Sequence, residues 1–156
     1  MKTKIIALVI ASLTFAHAAE KLKAPNNGRI INTVTPHAEF LVNPEKKLEV
    51  RFLDATGKVI APAAQIVTVT MGDRAAPTKL AFTQDGDKLV SDKVIPEGKE
   101  LPVVLQIKST PDAKAVSAKF NLNLSPCPDC KVPEYACDCH GEPAAHEHKP
   151  GEKHDH

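Results

Sequence analysis

Short bursts of alternating apolar and polar residues run through the middle of this chain. Ala38, Phe40 and Val42 alternate with Glu39 and Leu41, and Leu48, Val50 and Phe52 alternate with Glu49 and Arg51. Val67 and Val69 alternate with Thr68 and Thr70, Val103, Leu105 and Ile107 with Val104, Gln106 and Lys108, and Phe120, Leu122 and Leu124 with Lys119, Asn121 and Asn123. A period of two places one side of each strand on a core and the other in water. Shorter runs fall at Ile30-Ile31, Val59-Ile60, Leu80 to Phe82 and Leu89-Val90. Between the runs lie residues that tolerate turn geometry: Asn43-Pro44-Glu45-Lys46, Asp54-Ala55-Thr56-Gly57, Gln84-Asp85-Gly86-Asp87 and Pro96-Glu97-Gly98. Asp-Gly between two alternating runs is a strong hairpin signal. About eight short strands at roughly ten-residue spacing predict an all-β domain over 28–124, a two-sheet sandwich or small barrel, of which the immunoglobulin-like antiparallel sandwich is the expected form. No segment carries a helical repeat.

The two ends break the pattern in opposite ways. At the start, Lys2 and Lys4 precede an apolar run from Ile5 through Phe15, closed by Ala16-His17-Ala18. This is the three-part pattern of a secretory signal, with cleavage expected after Ala18, and the run falls short of the about 18 apolar residues a spanning helix needs. A polar lead-in, 19–27, follows. The rest of the chain is therefore expected outside the cytoplasm, periplasmic or secreted, without a membrane anchor. Loss of Lys2 and Lys4 moves the formal net charge from +1 to −1. With no Trp, one Tyr and no basic cluster, nothing suggests a nucleic-acid partner.

From Ser125 onward the large apolar residues almost vanish. This stretch, 125–156, carries all four cysteines and five histidines among many prolines and charges. It has too little apolar surface to fold alone, so it reads as a tail that stays disordered or is ordered by crosslinks or metal. Cys127-Pro128-Asp129-Cys130 and Cys137-Asp138-Cys139-His140 are two thiol pairs six residues apart. Two such pairs can close on one ion, and four thiolates suit zinc or Cu(I). His140, His146, His148, His154 and His156 add imidazoles in a polar segment, a composition typical of metal binding. The expected ligands are thus Cys127, Cys130, Cys137 and Cys139, with the five histidines as weaker capture ligands for Cu(I), Cu(II) or Zn(II).

Two other readings of the same cysteines stay open. In an oxidising compartment four cysteines also suit two disulfides, which would staple a β-sandwich that acts through protein contacts, the histidines being incidental. Cys127-Pro128-Asp129-Cys130 also has the spacing of a dithiol oxidoreductase, though that motif ordinarily opens a helix in an α/β setting. Gly-X-Ser-X-Gly, phosphate-loop and His-Glu-X-X-His motifs are absent, and a non-enzymatic role is expected. Elsewhere, His37 reads as a surface loop residue after Pro36, and Glu39, Arg51 and Asp54 as solvated strand-face and turn positions. Tyr135, between the thiol pairs, is a candidate to pack back on the β-domain.

Gly28-Arg29-Ile30, Ala38-Glu39-Phe40-Leu41-Val42, Val50-Arg51-Phe52-Leu53-Asp54 and Glu134-Tyr135-Ala136-Cys137-Asp138-Cys139 resemble stretches of small exported bacterial proteins associated with heavy-metal efflux systems. Similar stretches occur in the N-terminal β-domains of periplasmic adaptor subunits of cation-exporting pumps. The resemblance implies a periplasmic accessory that captures copper, silver or zinc and delivers it to an adaptor or another efflux component. The adaptor's helical hairpin and lipoyl-type domains have no counterpart here.

Overall fold

The computed structural model describes residues 22–139. Nine strands form: β1 (Arg29–Ile31), β2 (His37–Val42), β3 (Lys47–Leu53), β4 (Val59–Ile60), β5 (Ile66–Met71), β6 (Thr78–Asp85), β7 (Lys88–Val94), β8 (Glu100–Lys108) and β9 (Val116–Asn123). A 3₁₀ turn, Glu134–Ala136, follows β9. Each alternating run read from the sequence becomes a strand. Among the described residues no helix is long and apolar enough to cross a membrane.

The turns form where the sequence places them. Asn43 Oδ1 accepts from the N–H groups of Glu45 and Lys47, and Asp54 Oδ1 accepts from those of Thr56 and Lys58. Asp85 pairs with Lys88, which leaves Gly86-Asp87 as a two-residue hairpin loop. Gly86 has φ +61°, the positive value such a loop requires at its first central position.

All pairings are antiparallel, and the strands follow one path, β1-β2-β3-β7-β6-β5-β8-β9, with β4 beside β3. The two separate sheets of an immunoglobulin-like sandwich are therefore not what the chain builds. A single sheet curls into a nearly closed barrel. Its corner lies within β6, where Thr78 to Ala81 pair with β5 and Phe82 to Asp85 pair with β7. A strand that changes partner midway carries the ladder around a corner instead of ending one sheet and starting another. Alternation reports which face of a strand is buried, not which strand lies beside it, so the sequence could not separate these architectures.

The core is filled by Phe40, Leu48, Val50, Phe52, Val69, Met71, Leu80, Val103, Leu105 and Leu122, each at most 2% exposed. Strands β1 and β9 end the path without a ladder between them. Side chains close this seam instead. Phe120 of β9 meets Phe40 edge-on at 5.1 Å, and the Arg29 guanidinium of β1 lies 4.9 Å from the Phe120 ring centroid. Edge-to-face rings and a cation over a ring each add attraction beyond area burial.

Candidate metal centre

The cysteine segment sits against this seam. Glu134 N–H donates to Ser125 O at 2.9 Å, and Pro126 bridges Pro133, so the segment folds back on itself as a small loop. Tyr135 fastens the loop to the barrel. Its ring is 4% exposed and meets Phe40 edge-on at 6.0 Å. Its hydroxyl accepts from Val42 N–H at 3.1 Å, and its carbonyl accepts from Arg29 Nη1 at 3.2 Å. Tyr135 thus packs back on the β-domain as its sequence position suggested. Burial pushes its phenol up from the usual value, the Val42 N–H opposing and Glu39 adding to the rise.

Within the loop, Cys127-Pro128-Asp129-Cys130 forms a knuckle. Lys131 N–H donates to Cys127 O at 3.1 Å, and Cys127 N–H donates to Val132 O at 2.8 Å. Lys131 takes φ +64° to close this turn. The knuckle aims the N–H groups of Cys130 and Asp129 at the Cys127 sulfur. The Cys130 N–H, then the Cys137 thiol, pull the Cys127 thiol down to about 6 against the opposing effect of burial. Backbone N–H donors favour a thiolate there before any ion arrives. The 3₁₀ turn then returns the chain, with Cys137 N–H donating to Glu134 O, and delivers the second pair.

The four sulfurs converge. Cys137 Sγ lies 3.1 Å from Cys127 Sγ and 3.4 Å from Cys130 Sγ, and the ligand atoms of Cys127, Cys130, Cys137 and Cys139 all lie within 4.8 Å of one another. Four sulfurs at about 2.3 Å from a tetrahedral ion stand roughly 3.8 Å apart, so this spacing suits one ion. No disulfide joins any two of them among the described residues. Cys127 is fully buried, Cys130 and Cys137 are half-buried, and Cys139 is exposed. Cys137 is held well above the usual thiol range, chiefly because its proton is shared with Cys127. Cys139 is raised chiefly by the neighbouring Cys130 thiol.

The four cysteines expected from sequence are thus close enough together to bind a metal. The expected histidine ligands, His140, His146, His148, His154 and His156, lie outside the described residues, as does the expected signal segment at 1–18.

Three residues differ from their sequence reading. Glu39, expected on a solvated face, is fully buried. Its carboxylate accepts from Asn26 N–H at 2.8 Å, Asn26 Nδ2 at 2.8 Å and Gly28 N–H at 2.9 Å, which binds the lead-in to β2. Gly28 allows this close approach, since a Cβ there would stand 2.5 Å from Phe40 O. His37 starts β2 instead of lying in a surface loop, and its Nδ1 is shielded from solvent without a hydrogen-bond partner. Arg51 is partly covered, 3.0 Å from Glu49, with its Nε also shielded and unpaired. A cleft of about 650 Å³ opens between the lead-in, β1 and the cysteine loop, with Cys130 and Cys137 on its wall. No alternation or spacing in the sequence signals it, because its walls come from segments far apart in the chain.

No family model matches the chain, and no match to it is found among curated proteins or solved structures.

Proposed function

We propose that this protein is an exported, non-catalytic metal-binding accessory that captures copper or zinc on the thiolates of Cys127, Cys130, Cys137 and Cys139. The observation that carries this reading is the convergence of the four sulfurs within 4.8 Å on a knuckle whose backbone N–H groups already favour a thiolate. Soft sulfur donors select Cu(I) and zinc over hard cations. His140, His146, His148, His154 and His156 would extend the reach of the site as weaker capture ligands. The signal-like start supports a periplasmic or extracellular setting for this role. An efflux component, such as a periplasmic adaptor, is the receiver suggested by the resemblance described above.

Anaerobic titration of the reduced protein with Cu(I) and with Zn(II) tests the proposal. Tight binding that is lost in a variant with all four cysteines changed to serine supports it. Binding no tighter than that of a histidine-rich peptide, with all four cysteines oxidised in freshly isolated protein, rejects it.

A second reading has its own support. Cys127 is fully buried and Tyr135 is built into the core, so crosslinks among the cysteines would rigidify the loop whose Tyr135 packs on the barrel. In that case the four-serine variant loses barrel stability while metal binding through the histidines persists. A dithiol oxidoreductase has less support, because the Cys127–Cys130 turn is followed by a 3₁₀ turn, not by the α-helix that lowers the attacking thiol's pKa in such enzymes.

A further inference from the structure

The cleft beside the cysteine loop bears on how an ion reaches the sulfurs. Its volume, about 650 Å³, falls within the range of small-molecule sites. Cys130 and Cys137 form part of one wall. Lys23 and Arg29 bring cationic side chains to the lining and Asp138 a carboxylate, Asn27 contributes an amide, and His37 brings the shielded, unpaired Nδ1. Cys127, by contrast, is fully buried. Two routes to the sulfurs therefore exist among the described residues, one through the cleft and one over the exposed Cys139.

We infer that the cleft is a binding site for a small, carboxylate-bearing metal chelate, and that the ion passes from it to Cys130 and Cys137. This inference rests on the metal-binding reading above. Two cationic side chains against one carboxylate leave the lining net positive toward an anionic complex, with Lys23 the cation not engaged at the seam, and the thiols lie where its metal would be presented. Transfer is ligand exchange without change of oxidation state. Metal–sulfur bonds form at Cys130 and Cys137 as the chelate's metal–oxygen and metal–nitrogen bonds break. The thiol protons pass to the released chelate or to water. The remaining two sulfurs then complete the set, and the free chelate leaves by the same opening.

Stopped-flow loading of the reduced protein with two probes tests this: zinc nitrilotriacetate, an anionic complex, and zinc diethylenetriamine, a cationic one. The anionic complex is expected to load faster. Lys23→Glu should slow it by on the order of tenfold relative to the cationic complex, the scale on which charged clefts steer ligands. Asn32→Trp and Ala24→Trp, which add bulk at two lining positions while leaving every cysteine in place, should slow anionic loading by about as much. Equilibrium affinity for free zinc should stay unchanged in all three, which also reports that the loop has folded. Loading rates indifferent to the charge of the complex and to all three substitutions, at unchanged affinity, would overturn the inference and assign entry to the Cys139 side. Absence of zinc binding by the unaltered protein at equilibrium would instead remove the metal-binding reading on which it rests.

Discussion

Tyr135 links the barrel to the cysteine loop, and its truncation gives the most informative perturbation. Tyr135→Phe keeps the ring and removes only the acceptor that Val42 N–H uses at 3.1 Å. Losing one partly buried hydrogen bond costs about 1 kcal/mol. Tyr135→Ala also empties the space of a ring that is 4% exposed and abolishes its edge-on contact with Phe40. Truncating a buried aromatic costs about 3–5 kcal/mol, a large part of the roughly 5–15 kcal/mol that holds a small domain together. Because Tyr135 lies between Cys130 and Cys137, undocking it also releases the geometry that gathers the sulfurs. Docking and metal binding must then favour each other to the same extent. If about 1.4–2.8 kcal/mol of the lost packing is felt at the site, Tyr135→Ala weakens zinc binding by roughly ten- to a hundredfold. Tyr135→Phe should weaken it by a few-fold at most. Urea unfolding of the metal-free and zinc-loaded forms, with competition titration against a chelator of known affinity, measures both effects. Equal costs for the two substitutions, or an unchanged zinc affinity in Tyr135→Ala, would refute the coupling of the loop to the barrel.

Three further outcomes follow from other parts of the molecule. Glu39→Ala leaves the buried Gly28 N–H and the Asn26 donors without their acceptor and should cost about 3 kcal/mol in urea unfolding, whereas Glu39→Gln, which keeps one oxygen, should cost about 1. Burial alone would raise the Glu49 pKa, but hydrogen bonds from Lys88, Asn43 and Arg51 outweigh it and hold it below 4.5. Its contribution to stability is therefore present above pH 4.5 and lost as the pH falls through the lower folded-state value; acid unfolding of Glu49→Gln should show a shallower decline in that window, and an identical slope would contradict this. Because Cys137 and Cys139 are held protonated above the usual thiol range, metal must displace more than one proton. Apparent zinc affinity should then fall by more than about tenfold per pH unit below neutrality, a slope that titrations at several pH values would read directly.

The strands were legible in the sequence because burial on one face forces a period of two, as in Leu48-Glu49-Val50-Arg51-Phe52. The β6–β7 hairpin was legible because few residues besides Gly adopt the backbone angle at Gly86. The closeness of the cysteines was legible in part from spacing, since two thiol pairs six residues apart can close on one centre, by metal or by crosslink. What escaped was everything that depends on strands meeting across the barrel. The seam closed by Arg29, Phe40 and Phe120 joins positions far apart in the chain, and no local pattern announces it. Glu39 looked solvated because it alternates with Ala38 and Phe40; it is buried because the lead-in, with Asn26 and Gly28, folds over that outer face. The loop through Cys139 read as part of a tail that stays disordered or is ordered by crosslinks or metal, because it holds almost no large apolar residues. One aromatic, Tyr135, with one fully buried thiol, Cys127, is enough to seat it.

The central claim is that Cys127, Cys130, Cys137 and Cys139 together hold one soft or borderline ion. X-ray absorption at the zinc edge of the anaerobically loaded protein tests it most directly. The account predicts a first shell of four sulfurs at about 2.3 Å, lost when Cys130 and Cys137 are changed to serine. A shell dominated by nitrogen and oxygen at about 2.0 Å would contradict it and move the metal to the histidines.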